Sequence, residues 1–306
     1  MQVRVPGKVM LSGEYLVLIG GTAVLVPVPR YMTLTSVDSA DPSSDTPVVR
    51  EALAEPIPEL AELETDLPPL QVAVDRSQFM TTDADGVTHK LGLGGSAAEA
   101  VGVISMRFQR CGVDWKAIPE TIFKYADNAH RRAQGGMGSG ADVAAIAYRK
   151  PIRFRRVNDQ AEVEVIEKPQ PEFIPELALA WTGVSANTRE FVPKFLAWIE
   201  SEDGHQYRKS LIETSEGLAR KWFVREFKKY RNYLDMHTFM LAGNLRDAGI
   251  KWMLPNQYDL YRWAAFAGGF AKPTGAGGGD MTLLIGDLSL EDRPELIIEL
   301  DPFAEH

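Results

Sequence analysis

The chain has 306 residues, of which 45% are hydrophobic and 25% charged, a composition typical of a globular protein with room for two domains. Its formal net charge of -9, from 33 basic and 42 acidic residues, argues against a general binder of nucleic acids or anionic membranes. A single cysteine, Cys111, excludes an intrachain disulfide and a zinc site built from several cysteines. Because the N-terminus lacks a signal-peptide pattern and no apolar run approaches about 20 residues, we expect a cytoplasmic protein without a membrane partner.

The first 70 residues predict short strands and then a polar insertion. Apolar runs predict four strands, over residues 2–5, 16–19, 23–28 and 31–37. Lys8 lies in a predicted glycine-flanked turn, where it is either a solvated surface lysine or a partner for an anion. Residues 39–69 are rich in Pro, Ser, Asp and Glu, which predicts an exposed, partly disordered or short-helical insertion without chemistry.

A glycine-rich segment then runs into a helix. Two predicted strands and an Asp85-Gly86 turn lead to residues 92–96. Ser96 is predicted as the N-cap of the helix, with Glu99 completing a capping box and Gly112 ending the helix. Glycine amides at a helix N-terminus form an anion site, for which phosphate is the natural ligand, and the alternative is an ordinary tight turn. The segment lacks both the Gly-Lys-Ser/Thr ending of a Walker loop and the third glycine of a dinucleotide fingerprint.

A second glycine-rich segment, residues 135–140, follows a predicted helix over residues 119–133. Asp142 comes directly after it and is either a partly buried acid that needs a partner or a helix N-cap. The apolar residues 143–148 that follow are compatible with a helix or a strand. The hairpin predicted next has a solvated face that carries three arginines, Arg153, Arg155 and Arg156.

The proline-rich residues 169–175 predict a domain boundary. In the C-terminal half, strands are predicted over residues 177–181, 281–285 and 296–300, and helices over residues 190–198, 204–233, 235–248 and 257–268. Ser185 and Asn187 follow the end of the first of these strands, where such groups suit either recognition of a polar ligand or a helix cap. A third glycine-rich segment, residues 275–279, precedes the second strand.

The three glycine-rich segments and an early Pro-Gly-Lys together form a constellation that contains the motifs of a known family. The motifs are Pro6-Gly7-Lys8 with Gly13-Glu14-Tyr15, Gly92-Leu93-Gly94-Gly95-Ser96-Ala97-Ala98, and Gly275-Ala276-Gly277-Gly278-Gly279-Asp280. In this order, over nearly the whole chain, they resemble those of the GHMP kinases, named for galactokinase, homoserine kinase, mevalonate kinase and phosphomevalonate kinase. Within the family, residues 133–145, 181–183 and 272–274 are most similar to bacterial-type phosphomevalonate kinases. Gly95 replaces the family's first serine, and Asn187 stands where a substrate-facing serine is usual.

The resemblance implies an α+β, two-domain GHMP kinase fold. Residues 1–168 would form the N-terminal, nucleotide-binding domain with a left-handed β-α-β unit. Residues 169–306 would form a ferredoxin-like C-terminal domain, and the active site would lie in the cleft between the two.

The resemblance also implies roles for individual residues in phosphoryl transfer from ATP with Mg²⁺. Lys8 and Asp142 would be catalytic, with Lys8 neutralising charge on the acceptor and Asp142 accepting or orienting its proton. The nucleotide phosphates would bind at Gly92, Leu93, Gly94, Gly95, Ser96 and Ala97. The acceptor would bind at Lys8, Ser139, Gly140, Asn187, Gly275, Ala276 and Gly277. Ser96 would hold the metal, with Glu99 a weaker candidate ligand, and His130 and Arg131 would more simply be solvated on a helix surface.

The implied reaction is the ATP-dependent phosphorylation of phosphomevalonate to diphosphomevalonate by a monomer or homodimer that binds no nucleic acid. Two alternatives keep the fold, namely a mevalonate kinase and a diphosphomevalonate decarboxylase, which also releases carbon dioxide. A third, from a different class, is a metabolite-binding sensor without catalysis. The presence of Lys8, Ser96 and Asp142 together argues against the sensor, which needs no base.

Overall fold

Two antiparallel sheets organise the protein in a computed structural model that describes residues 1–39, 41–186, 188–224, 231–286 and 297–306. The N-terminal sheet has the order β1-β2-β6-β7, and β3 also pairs with β2. Its strands are β1 (Gln2–Ser12), β2 (Ala23–Val37), β3 (Gln71–Asp75), β6 (Ile152–Val157) and β7 (Gln160–Val165). The C-terminal sheet has the order β11-β8-β10-β9. Its strands are β8 (Leu177–Trp181), β9 (Phe270–Pro273), β10 (Met281–Ile285) and β11 (Ile297–Leu300). A separate hairpin pairs β4 (Met80–Thr82) with β5 (Thr88–Lys90).

Helices pack on both sheets and complete an α+β arrangement. Those of the N-terminal half are α1 (Pro47–Ala54), α2 (Ala61–Glu64), α3 (Gly95–Arg110), α4 (Pro119–Ala133) and α5 (Ala141–Tyr148). Those of the C-terminal half are α6 (Thr188–Glu200), α7 (Glu202–His205), α8 (Arg208–Ala219), α9 (Arg231–Asp247) and α10 (Pro255–Phe266). None of the helices within the described ranges is long and apolar enough to cross a membrane. The predicted domain boundary between residues 168 and 169 stays a prediction; it falls between β7 and β8.

Strand β1 differs from the prediction, because Lys8 lies inside it and not in a turn. The pairing of β1 with β2 shifts register between Pro6 and Gly7, and this irregularity absorbs the Pro-Gly pair without ending the strand. Proline has no N–H to donate, but β1 is at the edge of its sheet, where this is tolerated. The predicted strand over residues 16–19 is a 3-10 helix, and the two strands predicted over 23–37 are one continuous strand.

The polar insertion over residues 39–69 is short-helical, as predicted, and much of it is exposed, but several of its residues are buried, which was not predicted. Val49, Ala52 and Leu60 are buried in the N-terminal core, and α1 packs against α3 and α4. The buried Arg107 of α3 donates to the carbonyl oxygens of Ala52 and Glu55, at 3.2 Å and 2.6 Å. The few apolar residues in this polar sequence therefore fall on the faces that meet the core.

In the C-terminal half, the single helix predicted over residues 204–233 is wrong. The segment contains α7 and α8 with a break between His205 and Arg208, and α8 ends at Ala219. Ser201 caps α7 by accepting a hydrogen bond from the Gly204 N–H at 3.3 Å. Helices α9 and α10 and strands β8 and β10 lie where the sequence predicts them.

His237 on α9 makes the stability of the protein sensitive to acid. Burial, and then the charge of Lys272, lowers the pKa of His237 from 6.5 to about 4. The unfolded chain therefore takes up a proton near pH 6.5, whereas the folded protein takes it up only near pH 4. The contribution of His237 to the free energy of unfolding is fully present above pH 6.5 and is lost as the pH falls towards 4. At about 1.4 kcal/mol per pH unit, the loss is about 3 kcal/mol.

We expect the His237→Gln variant to lose this part of the acid sensitivity. Urea unfolding at pH 7, 6, 5 and 4 would show a shallower fall of the free energy of unfolding than in the unchanged protein. The exposed His205 offers the control, and the His205→Gln variant should follow the unchanged protein at every pH. A His237→Gln curve parallel to that of the unchanged protein below pH 6.5 would contradict the assignment.

Candidate active site

Lys8 and Asp142, predicted from the sequence as the catalytic pair, lie in contact. The ammonium Nζ of Lys8 is 3.3 Å from Oδ2 of Asp142, and the two side chains are 9% and 40% exposed. Lys8 projects from β1, and Asp142 lies in the first turn of α5. A buried ammonium needs an opposite charge, which Asp142 supplies. The alternative that Asp142 is an N-cap is wrong, because Gly140 holds that position.

The first glycine loop, residues 92–95, lies directly on Lys8. The Lys8 N–H donates to the carbonyl oxygen of Leu93 at 3.0 Å, which fastens the loop to β1. Gly94 has a φ of 84°, and a Cβ there would lie 2.9 Å from Cε of Lys8, so only glycine fits this position. Helix α3 begins at Gly95, and its first amide groups have no acceptor within the helix. These amides and the helix dipole form an anion site next to the Lys8 side chain.

Helix α3 does not begin with the predicted capping box. Its N-cap is Gly94, which makes no side-chain cap, and Ser96 and Glu99 contact other elements instead. Both carboxylate oxygens of Glu99 are engaged, Oε1 with Nε of Arg76 at 2.7 Å and Oε2 with the hydroxyl of Thr46 at 2.6 Å. Glu99 is therefore held as a structural group, and its weaker assignment as a metal ligand loses support. The predicted end of the helix is correct, since Gly112 has a φ of 78° just after the last turn.

His130 is buried, whereas the sequence favoured a solvated position. Its Nε2 is 3.0 Å from the hydroxyl of Ser96 and 3.0 Å from the amide nitrogen of Gln134. Burial lowers the pKa of His130, so the neutral imidazole is favoured near pH 7. His130 thus holds the Ser96 hydroxyl in place through this hydrogen bond from the buried side of the loop. Arg131 forms an ion pair with the exposed Asp159, in agreement with a surface role.

The second glycine loop, residues 134–140, is held at both ends. At its start, the Gly136 N–H donates to the carbonyl oxygen of Arg131 at 2.8 Å, and the Gln134 side chain contacts Ser96 and His130. A Cβ at Gly135 or Gly136 would have no atom within 4 Å, so this part faces open space. Ser139, in contrast, accepts from the Ala141 N–H through its hydroxyl at 3.2 Å and from Nε of Arg156 through its carbonyl at 2.7 Å. The loop therefore delivers Asp142 to the site from a fixed Ser139-Gly140 step.

The third glycine loop, residues 275–279, contacts residues of both halves of the chain. A Cβ at Gly277 would lie 2.0 Å from the ring of Trp252, which accounts for a glycine there. The hydroxyl of Tyr15 donates to the carbonyl oxygen of Ala276 at 2.7 Å, and burial raises the pKa of Tyr15, which keeps this donor protonated. Gly275 faces open space. The carbonyl of Ala276 is thus already used within the protein.

Asp280 joins the third loop to the first. Its Oδ1 accepts from the Ala186 N–H at 2.9 Å, and a Cβ at Gly92 would lie 2.4 Å from its Oδ2. Burial raises the pKa of Asp280, and the Ala186 amide and the charges of Lys8 and Lys90 oppose this effect. The two halves of the chain therefore meet at the first glycine loop, as a site in a cleft between them requires.

Sequence reasoning missed the buried ion pair between Glu14 and Lys272, and it gave Asp280 and Arg156 no part in the site. Glu14 and Asp280 each adjoin a glycine motif, and this adjacency was a usable signal. Asn187, predicted to contact the acceptor, lies outside the described residues. The roles assigned to all the predicted site residues stay predictions.

Comparison with known proteins supports the resemblance to the GHMP kinases. Residues 71–150 match the sequence model of the GHMP kinases N-terminal domain. The match is confined to this part of the chain, and the chain as a whole has the two-domain α+β fold of the GHMP kinases, as the resemblance implied.

Two relatives that match by sequence are named phosphomevalonate kinase. The chain is 24% identical to the phosphomevalonate kinase of Saccharolobus solfataricus, covering 94% of this chain and 90% of that one. It is 26% identical to the phosphomevalonate kinase of a Streptomyces species, covering 92% and 88%. The structure also superposes on Streptococcus pneumoniae phosphomevalonate kinase in complex with phosphomevalonate and AMPPNP, with a TM-score of 0.77, 19% identity and coverage of 98% and 100%.

Proposed function

We propose that the protein is a phosphotransferase that converts (R)-5-phosphomevalonate and ATP to 5-diphosphomevalonate and ADP, in the cytoplasm. The observation that carries the proposal is the Lys8–Asp142 pair beneath the N-terminus of α3, where the first and third glycine loops meet. The relatives named phosphomevalonate kinase support the choice of acceptor, since they align over nearly the whole chain. The neighbour of known structure, in complex with phosphomevalonate and AMPPNP, supports both substrates.

In this reaction an oxygen of the acceptor phosphate attacks the γ-phosphorus of ATP. A new P–O bond forms, the bond between the γ-phosphorus and the β,γ-bridging oxygen breaks, and that oxygen leaves on ADP with the electron pair. The amides of Gly92 to Ala97 hold the nucleotide phosphates at the positive end of α3. The Lys8 ammonium neutralises charge between the acceptor phosphate and the transferred group. Asp142, 3.3 Å from Lys8, accepts or orients any proton that remains on the acceptor phosphate.

The acceptor binds on the opposite side of the pair, between the second and third glycine loops. Ser139 and Gly140 contribute next to Asp142, and the assignment of Asn187 to the acceptor, made from the sequence, is kept in the proposal. Gly275, Ala276 and Gly277 line the site from the third loop. The amides of Gly275 and Ala276 are the donors, because the Gly277 N–H donates to the carbonyl oxygen of Thr274 at 3.2 Å and the Ala276 carbonyl accepts from Tyr15.

The residues present fit a Mg²⁺ ion that arrives with the nucleotide. Such ions take few protein ligands and several oxygens from phosphates and water, so a dedicated cluster is not required. In the described ranges no group of three acidic, histidine or cysteine side chains could hold a metal. The Ser96 hydroxyl at the start of α3 is the ligand that the chain would provide. When bound, the ion neutralises charge on the phosphate oxygens.

The test is ADP release by purified protein with Mg-ATP and four acceptors in parallel, namely phosphomevalonate, mevalonate, diphosphomevalonate and galactose. We expect turnover with phosphomevalonate alone and no release of carbon dioxide. Turnover with mevalonate instead, or carbon dioxide release from diphosphomevalonate, would assign one of the alternative activities of this fold. Nucleotide binding without turnover of any acceptor would favour a sensor and overturn the proposal.

A further inference from the structure

Arg156 on β6 occupies a buried position beside the second glycine loop. Residues alternate along a strand, so Arg156 shares a face with Ile152 and Phe154, which are fully buried. Its guanidinium carbon is 5.9 Å from the centre of the Phe154 ring, and its side chain is 11% exposed. The sequence places it among solvated arginines, and this expectation is wrong for Arg156. Arg153 and Arg155 lie on the other face and pair with Glu164 and Glu162.

The Arg156 guanidinium connects three elements. Its Nη2 forms an ion pair with Oδ2 of Asp127 on α4 at 2.5 Å. Its Nε donates to the carbonyl oxygen of Ser139 at 2.7 Å, and its Nη1 donates to that of Asp159 at 3.2 Å. Each nitrogen of the planar fork thus has a separate partner, an arrangement that a lysine ammonium cannot reproduce.

The ion pair also lies directly against Gly140 and leaves no room for a side chain there. Gly140 has a φ of 82°, and a Cβ there would lie 2.4 Å from Oδ1 of Asp127 and 2.7 Å from Nη2 of Arg156. Oδ1 of Asp127 has no hydrogen-bond partner in the described part of the chain. Burial raises the pKa of Asp127, and the charge of Arg156 opposes this. A buried pair with one unsatisfied oxygen is a poor source of stability, which favours a role in geometry.

We infer that Arg156, held by Asp127, is a positioning residue for Asp142. Arg156 fixes the Ser139 carbonyl and the Ser139-Gly140 step, and helix α5 starts at the next residue with Asp142 in its first turn. The Ala144 N–H donates to the carbonyl oxygen of Gly140 at 3.0 Å, so the step is the first link of the helix. Gly135 and Gly136 have no described atom near their Cβ positions, so the part of the loop next to α5 is held mainly through Ser139, and this guanidinium sets where the Asp142 carboxylate points. The inference rests on the proposed function for its catalytic consequence only.

The test variant is Arg156→Lys, which keeps the charge opposite Asp127 but loses the fork. We expect kcat with phosphomevalonate to fall about 10- to 100-fold, because small misplacements of catalytic groups cost about this much. The KM for ATP should stay within about twofold, since the first glycine loop is untouched. The Arg155→Lys variant on the opposite face is the matched control and should retain its kcat.

A double variant separates positioning from a general loss of structure. If Arg156 acts through Asp142, the Arg156→Lys change should lower kcat no further in an Asp142→Asn background. An equal further loss in that background, or an unchanged kcat for a folded Arg156→Lys protein, would overturn the inference. If Arg156→Lys does not fold, Asp127→Asn serves in its place, with an expected fall of a few-fold in kcat and no change in the KM for ATP.

Hydrogen exchange gives a readout that needs no turnover. In the Arg156→Lys protein without substrates, we expect faster exchange at the Ala144 amide, and unchanged exchange in β7. If the unchanged protein fails to use phosphomevalonate, the proposed function falls, but the exchange experiment still decides the positioning role. Unaltered exchange at Ala144 would refute that role.

Discussion

Replacing Asp142 by asparagine is expected to lower kcat with phosphomevalonate by about 10²- to 10⁴-fold, the usual contribution of a positioned acid or base. Asparagine keeps the size of the side chain but cannot accept the proton or balance the Lys8 ammonium, 3.3 Å away. The KM for ATP should change little, because the amides at the start of α3 remain. Steady-state ADP release at saturating Mg-ATP measures both parameters.

The control for Asp142→Asn is Asp45→Asn, which removes a carboxylate from a surface ion pair. Asp45 is 2.9 Å from Arg50, and both side chains are more than half exposed. Its kcat should equal that of the unchanged protein within about twofold. An Asp142→Asn protein that turns over at the unchanged rate would remove Asp142 as the base and leave Lys8 and the helix amides as the catalytic groups.

The sequence predicted those parts of the fold and site that depend on local chemistry. Helix α4 has the predicted bounds of residues 119–133, because Pro119 suits the first helical position and glycines follow its end. The three glycine loops also follow from local rules, since their turns need the positive φ angles that glycine adopts readily. Their convergence on Lys8 and Asp142 came from the family resemblance and not from spacing.

Local rules failed where tertiary contacts decide. Ser96 and Glu99 have the spacing of a capping box, but Arg76 and Thr46 hold both carboxylate oxygens of Glu99. Lys8 follows a Pro-Gly pair that normally ends a strand, but an edge strand with a shifted register tolerates it. Arg156 is the exception that the sequence could have revealed, because alternation with Ile152 and Phe154 places it on the buried face.

The pair of Glu14 and Lys272 lies deeper in the protein than the pair of Lys8 and Asp142 and joins the two halves of the chain. Lys272 on β9 donates to Oε1 of Glu14, just after β1, and to the carbonyl oxygen of Pro273 at 2.9 Å. The two side chains are 2% and 0% exposed. Strand β1 carries Lys8, and β9 leads into the third glycine loop. The pair therefore fixes the register in which the two sides of the site face each other.

Glu14→Gln is expected to lower the free energy of unfolding by about 3–5 kcal/mol, because it leaves the Lys272 ammonium buried without an opposite charge. Urea unfolding followed by tryptophan fluorescence and by circular dichroism measures the change, and agreement of the two signals tests for a single transition. Asp45→Asn again supplies the matched control. Its exposed pair should be worth at most about 1 kcal/mol.

The double variant Glu14→Gln/Lys272→Met then separates the cost of a lone buried charge from the value of the pair. Removing both charges abolishes the unpaired ammonium, and methionine fills much of the volume of the lysine stem. We expect the double variant to lose less stability than the sum of the two single variants, with a coupling of several kcal/mol. Additive losses would mean that each side chain contributes through packing alone, and the two halves would then be held together by their apolar contacts and not by this charge pair.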